Sequence, residues 1–169
     1  IATPIMTSPP KIDGKLTHGE WNEACIVDGF VNGTLGLQAN ESVQTYVAYD
    51  ERCLYIALKY AIPERVRKRR QLFPNGALRR RMTTRDADLR GDDHYEVTIA
   101  PDCTGPRYRL RLNALGSLAD DQDGDMTWNS TATVASFDDE DVWTVEIAVP
   151  FSDVSLETPT EGRSFGLSI

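Results

Sequence analysis

The chain has 169 residues, 40% of them hydrophobic and 26% charged, the make-up of one globular domain long enough to bury a core and unlike that of a disordered segment. A formal net charge of −8 argues against a nucleic-acid binder by bulk electrostatics, and no apolar run reaches the roughly 18 residues that a membrane span needs. Three cysteines, Cys25, Cys53 and Cys103, have no metal-like spacing and cannot all pair with one another, so they read as unpaired or partly buried thiols.

In chain order, residues 1–11, with Pro4, Pro9 and Pro10, predict an extended lead-in or linker, and the single domain runs over 12–169. No signal-peptide core is evident, and the chain begins at Ile1 as if cut from something longer. Asp13-Gly14 predicts a tight turn. His18 to Ala24 predicts a short helical turn capped by Thr17, with Trp21 and Ala24 facing inward as packing residues. Val43, Thr45, Val47 and Tyr49, then Leu54, Ile56, Leu58 and Tyr60 beyond Asp50-Glu51-Arg52, alternate as the two arms of a β-hairpin.

Residues 63–92 interrupt this pattern as a long loop. Its basic run, Arg65, Arg67, Lys68, Arg69 and Arg70 continued by Arg79, Arg80 and Arg81, reads as a solvated loop or a short arginine-rich helix starting at Pro63, with contact to phosphate or a sulfated glycan as the alternative. The next hairpin places Tyr95, Val97 and Ile99 against Tyr108, Leu110 and Leu112. Its opposite faces carry His94 and Glu96 on one strand and Arg107, Arg109, Arg111 and Asn113 on the other. Two readings stay open for them, an inert cross-strand charge ladder or a polar binding face.

Asp120-Asp-Gln-Asp-Gly-Asp125 brings alternate carboxylates and a turn glycine together, the kind of hard-oxygen cluster that suits Ca²⁺, with Asp121, Asp123 and Asp125 as ligands; the distal glutamate of a full calcium loop is missing, and a plain acidic turn is the other reading. Asp86, Asp88, Asp92 and Asp93 form a second such cluster. A weaker alternating run follows over 131–137. An acidic turn then leads into Val142 to Pro150, where Trp143, Val145, Ile147 and Val149 predict a strand with one buried face. Phe165, Leu167 and Ile169 alternate at the end of the chain.

These elements predict an all-β fold, an antiparallel two-sheet β-sandwich with one short N-terminal helical turn and a long inserted loop. The motifs of catalysis are missing. His18 and His94 stand in no nucleophile pattern, and there is no phosphate loop, zinc-type pairing or nucleophile elbow, so the chain does not read as an enzyme.

The order of the pieces resembles a family 9 carbohydrate-binding module, one of the DOMON-like sandwiches. The matching stretches are Ile12-Asp-Gly-Lys-Leu16 with Trp21 and Ala24, Val47-Ala-Tyr-Asp50 with Leu54-Tyr-Ile56, Asp92-Asp-His-Tyr-Glu-Val97, Tyr108-Arg-Leu-Arg-Leu-Asn113 with Gly116, then Trp128, and Trp143 to Phe151 with the C-terminal strand. The resemblance covers residues 11–169. It implies a jelly-roll-like sandwich of immunoglobulin-like appearance, with bound calcium, a sugar site and no catalysis. The sugar-binding acid falls on Glu96 and the arginine on Arg109 or Arg111, with Asn113 on the same face.

Family members that bind sugar ends clamp the ring between two tryptophans; here Arg90 stands near the first place and the chain stops before the second. Trp128 is either a substitute stacking surface or a core residue. The implied role is a noncatalytic module of a larger bacterial protein acting on polysaccharide, extracellular, periplasmic or at the cell surface. Its partners would be an oligo- or polysaccharide and adjoining domains, with no nucleic acid. The alternatives are a haem-binding electron-transfer domain with axial ligands among Met82, Met126, His94 and Lys59, and a structural interaction module that has lost its ligand.

Overall fold

The computed structural model describes residues 2–31, 42–72, 78–102, 104–159 and 164–169. Among them, nine strands form two antiparallel sheets: β1 (Cys25–Val27), β2 (Ser42–Tyr49), β3 (Cys53–Ala61), β4 (His94–Ala100), β5 (Tyr108–Asn113), β6 (Leu118–Gln122), β7 (Thr133–Asp138), β8 (Val142–Pro150) and β9 (Gly166–Ser168). The first sheet runs β1-β2-β3-β8-β7 and the second β6-β5-β4-β9. Inside the long insertion, α1 (Glu64–Leu72) follows Pro63, whose fixed φ suits the start of a helix. Its Val66 packs on the core and its Arg67 pairs with Asp141. Cys25 and Cys53 are free thiols, and Cys103 lies outside the described residues.

The core lies between the sheets. Leu54, Ile56 and Leu58 of β3 and Val145, Ile147 and Val149 of β8 meet Val97 and Ile99 of β4 and Leu110 and Leu112 of β5, all essentially fully buried. Trp143 stacks on Tyr95 across the gap with ring centroids 4.3 Å apart. Because side chains alternate along a strand, this inward set forces Glu96, Arg109 and Arg111 onto the outer wall of the second sheet.

The outer wall of the first sheet is covered by the N-terminal segment. The lead-in expected as an extended linker docks on β2 at Tyr49. Tyr49 N donates to Pro4 O at 3.1 Å, Met6 N donates to Tyr49 O at 2.7 Å, and Met6 is buried. Residues 18–24 form successive tight turns and no helix, with Thr17 N donating to Glu20 Oε2 at 3.2 Å. They seat Trp21 against Ala48, Tyr55, Ala57 and Ala148 in a second, smaller cluster. As a result β8 is buried on both faces, not one.

Glu146 explains how the segment is held. Its carboxylate accepts Asp13 N at 2.9 Å and Gly14 N at 2.7 Å on Oε2, and Trp21 Nε1 at 2.9 Å on Oε1. Gly14 takes φ +85, and a β-carbon there would lie 2.8 Å from Ser136 C. Gly14→Ala is therefore expected to cost at least about 2 kcal/mol in chemical denaturation, the sum of left-handed strain and backbone displacement.

Candidate functional site: the outer face of the four-stranded sheet

Cross-strand register decides which polar residues become neighbours on this face. Glu96 lies opposite Arg111, Arg109 opposite Asp121, and Arg111 opposite Ala119, whose small side chain leaves room beside the guanidinium. Asp121 is the hub. It is 1% exposed, and Arg109 closes a two-pronged fork on it, Nε to Oδ2 and Nη2 to Oδ1, both at 3.0 Å. Arg111 Nη2 donates to Asp121 Oδ2, and Gly124 N donates to Oδ1 at 2.8 Å.

Burial pushes the Asp121 carboxyl upward. The Arg109 hydrogen bonds, the Gly124 N–H and the two guanidinium charges outweigh it, so the group lies below the ordinary carboxylate range. The same contacts raise Arg109, through its hydrogen bonds to Asp121 first.

Glu96 is held differently. Its Oε2 stands 4.0 Å from Arg109 Nη1 and 3.9 Å from Arg111 Nε, too far for a hydrogen bond, and among the described residues nothing donates one to it. The carboxylate is 44% exposed and Arg109 38% exposed. Arg111 is 18% exposed, and its Nε is buried without a partner. An acceptor with free lone pairs thus faces solvent beside two guanidiniums whose directions are already set. Two carboxylates and two guanidiniums leave the cluster neutral, so it has no net charge with which to attract an ion.

The carboxylates of the aspartate cluster are engaged by the protein's own donors. Asp121 is occupied by the arginines, Asp123 Oδ1 accepts Arg107 N at 3.1 Å, and Asp125 Oδ1 accepts Thr127 N at 2.9 Å and Thr127 Oγ1 at 2.7 Å. In the second cluster, Asp88 forks Arg90, Asp92 caps Arg81 N and Met82 N, and Asp93 accepts Arg79 N. Asp86, at φ +59, lies beside Arg85. Among the described residues no three His, Cys, Asp or Glu side chains converge as a cation cage. These acids build turns and pair arginines.

No protein-family model matches the sequence, and no curated protein does. Among solved structures, a family 9 carbohydrate-binding module from Caldicellulosiruptor kristjanssonii, in complex with cellotriose, superposes with a TM-score of 0.64 at 14% identity, over 98% of this chain and 73% of that one. A structure of such a module from the same organism, in complex with glucose, gives 0.65 at 14% identity, over 97% and 74%. The fold is that of a family 9 carbohydrate-binding module. A candidate carbohydrate-binding protein of Bacteroides uniformis shares it with a TM-score of 0.57 at 13% identity, over 90% of this chain and 72% of that one.

Within the family 9 fold, Trp128 sits on the inner side. Its ring packs 5.1 Å from that of buried Tyr108, against the main core, and away from the face that holds Glu96. Asn113 is fully buried and saturated. Nδ2 donates to Met82 O and to Asp92 Oδ2, both at 2.8 Å, while Oδ1 accepts Leu115 N at 3.0 Å and Ser117 N at 2.9 Å. It shares the strand face of Arg111 but pins the β5–β6 turn, with no hydrogen-bonding capacity left for a ligand. Of the residues weighed as haem ligands, Lys59, Met82 and Met126 are exposed, and half-buried His94 places Nδ1 3.0 Å from Asp92 O.

Proposed function

We propose that this chain is a noncatalytic carbohydrate-binding module that holds a saccharide on the outer face of β4, β5 and β6. The observation that carries the reading is the neutral cluster of Glu96, Arg109, Arg111 and Asp121, in which one carboxylate is spent on orientation and the other stands free. A sugar hydroxyl both donates and accepts. It can give its proton to Glu96 and receive one from a guanidinium, and charged partners make such bonds stronger than neutral ones. Because Asp121 already fixes the arginines, little side-chain entropy is lost when the ligand arrives. The fold supports the same reading, since the Caldicellulosiruptor modules that share it hold cellotriose and glucose.

The module's task is to keep a larger polysaccharide-acting protein on its substrate by raising local concentration, without chemistry of its own. An extracellular or cell-surface setting fits that task, and among the described residues no helix is long and apolar enough to cross a membrane.

Calorimetric titration with cellotriose and glucose, followed by a glycan array, tests the proposal. Glu96→Ala is expected to weaken saccharide binding at least about tenfold, the loss of one charge-assisted hydrogen bond, while leaving the melting temperature unchanged. A folded wild type that binds no saccharide on the array overturns it.

A further inference from the structure

Charged groups account for the hydroxyls of a sugar but not for its ring, whose C–H faces need an apolar surface, and Trp128 lies on the wrong side of the sheet to supply one. The described residues on the polar face and its rim include one large apolar side chain in contact with the charged cluster. Met126 is 43% exposed, and its Sδ lies 3.8 Å from Arg111 Nη2.

The turn that presents it is rigidly built. Gln122 N donates to Asp125 O at 3.2 Å and Asp125 N to Gln122 O at 2.9 Å; between them, Asp123 and Gly124 take φ +52 and +89. Asp123 N donates to Arg107 O at 2.9 Å, and Thr127 is capped by Asp125. Gly124 N bonds the same Asp121 carboxylate that aims Arg109 and Arg111. One buried group therefore sets the positions of both guanidiniums and of the turn that carries the thioether. Exposing a flexible apolar side chain on a stapled turn costs the free protein favourable burial, and such a side chain adapts readily to the irregular face of a ligand.

We infer that Met126 is the apolar wall of the saccharide site, packing its thioether against a ring face while Arg109, Arg111 and Glu96 take the hydroxyls. The inference rests on the proposed carbohydrate-binding function and adds to it a specificity residue and a sensitivity to oxidation. A sulfoxide at this position is polar and offers the ring no apolar contact.

The test titrates cellotriose into wild type, Met126→Ala, Met126→Leu, Met82→Ala and Glu96→Ala, with thermal melts to establish that each is folded. Met126→Ala is expected to bind about tenfold more weakly, Met126→Leu within about threefold of wild type, and Met82→Ala like wild type, as partial burial of one large apolar side chain implies. Hydrogen peroxide supplies a second arm. It transfers one oxygen atom to Sδ and leaves as water, and this treatment is expected to weaken wild type and Met82→Ala about tenfold but not Met126→Leu. Wild-type affinity in Met126→Ala, together with loss of binding in Glu96→Ala, overturns the inference and leaves the function standing. Equal peroxide sensitivity in Met126→Leu also overturns it. A wild type that binds no saccharide overturns both.

Discussion

Glu146→Ala is expected to lower unfolding stability by about 4 kcal/mol near neutral pH, because it strands the buried Gly14 amide and Trp21 indole and the part-buried Asp13 amide, and a buried donor costs roughly 1 to 3 kcal/mol unpaired. In a domain of this size the melting temperature should fall by about 10 °C. Hydrogen exchange should show where the damage lies, with amides of residues 5–24 losing protection before those of β3 and β8. Uniform loss of protection would mean that the covering segment and the sandwich unfold as one unit.

Glu146 also predicts a pH dependence. Burial, the largest influence, raises its carboxyl above the ordinary value of 4.5, although the Trp21, Asp13 and Gly14 donors pull the other way. A group raised on folding contributes stability that is complete below its unfolded value and lost as pH rises through the folded one. Wild type should thus gain stability relative to Glu146→Gln as pH is lowered from neutrality toward 4.5, by at most about 1.4 kcal/mol per pH unit. Parallel curves for the two proteins would remove the assignment.

Asp121→Ala carries the second large effect. It leaves Arg109, Arg111 and Gly124 N without the acceptor that joins them, and breaking a buried ion pair from one side typically costs about 3 to 5 kcal/mol. Because the Arg109 guanidinium remains partly exposed and can find water, a loss near the lower end, about 3 kcal/mol, is expected by denaturant titration. Saccharide affinity should fall by more than tenfold in the same variant, since guanidiniums and turn lose their common anchor. The signature is the combination, as Glu96→Ala is expected to affect binding alone.

The pH dependence of Asp121 has the opposite sign to that of Glu146. Its folded value is depressed, so its contribution is present above the ordinary 3.8 and fades as pH drops through the folded value. The stability gap between wild type and Asp121→Asn should therefore close in strong acid. A gap unchanged down to acid unfolding would deny the carboxylate its role as the paired anion.

The strands with strict alternation were legible because a buried hydrophobic face leaves a period of two in the chain. Val43 to Tyr49, Leu54 to Tyr60, Tyr95 to Ile99, Tyr108 to Leu112 and Trp143 to Val149 all lie on strands. The same alternation put Glu96, Arg109 and Arg111 on one outer wall. β6 was not legible. Leu118-Ala-Asp-Asp-Gln122 reads as the start of an acidic loop, because two adjacent aspartates are costly in a strand unless cations neutralise each from opposite sides. Arg85, 35 positions earlier in the chain, does so for Asp120 at 2.7 Å, and Arg109 and Arg111 do so for Asp121. Met126 carried a faint signal, a lone large apolar residue among aspartates and glycine, that means nothing until its neighbours are known.

What the chain determined by itself was the class of fold and the side of the sheet on which each strand residue stands, since both follow from local periodicity and sterics. Which strands become neighbours, and hence which charges meet, depended on register across distant segments. That is why Asp121 pairs arginines where the linear pattern suggested a cation ligand. It is also why Thr144 and Glu146, polar residues on the face expected to meet water, are sealed beneath a segment more than 120 positions away. Burial of a polar group is set by what packs over it, and only the folded chain specifies that.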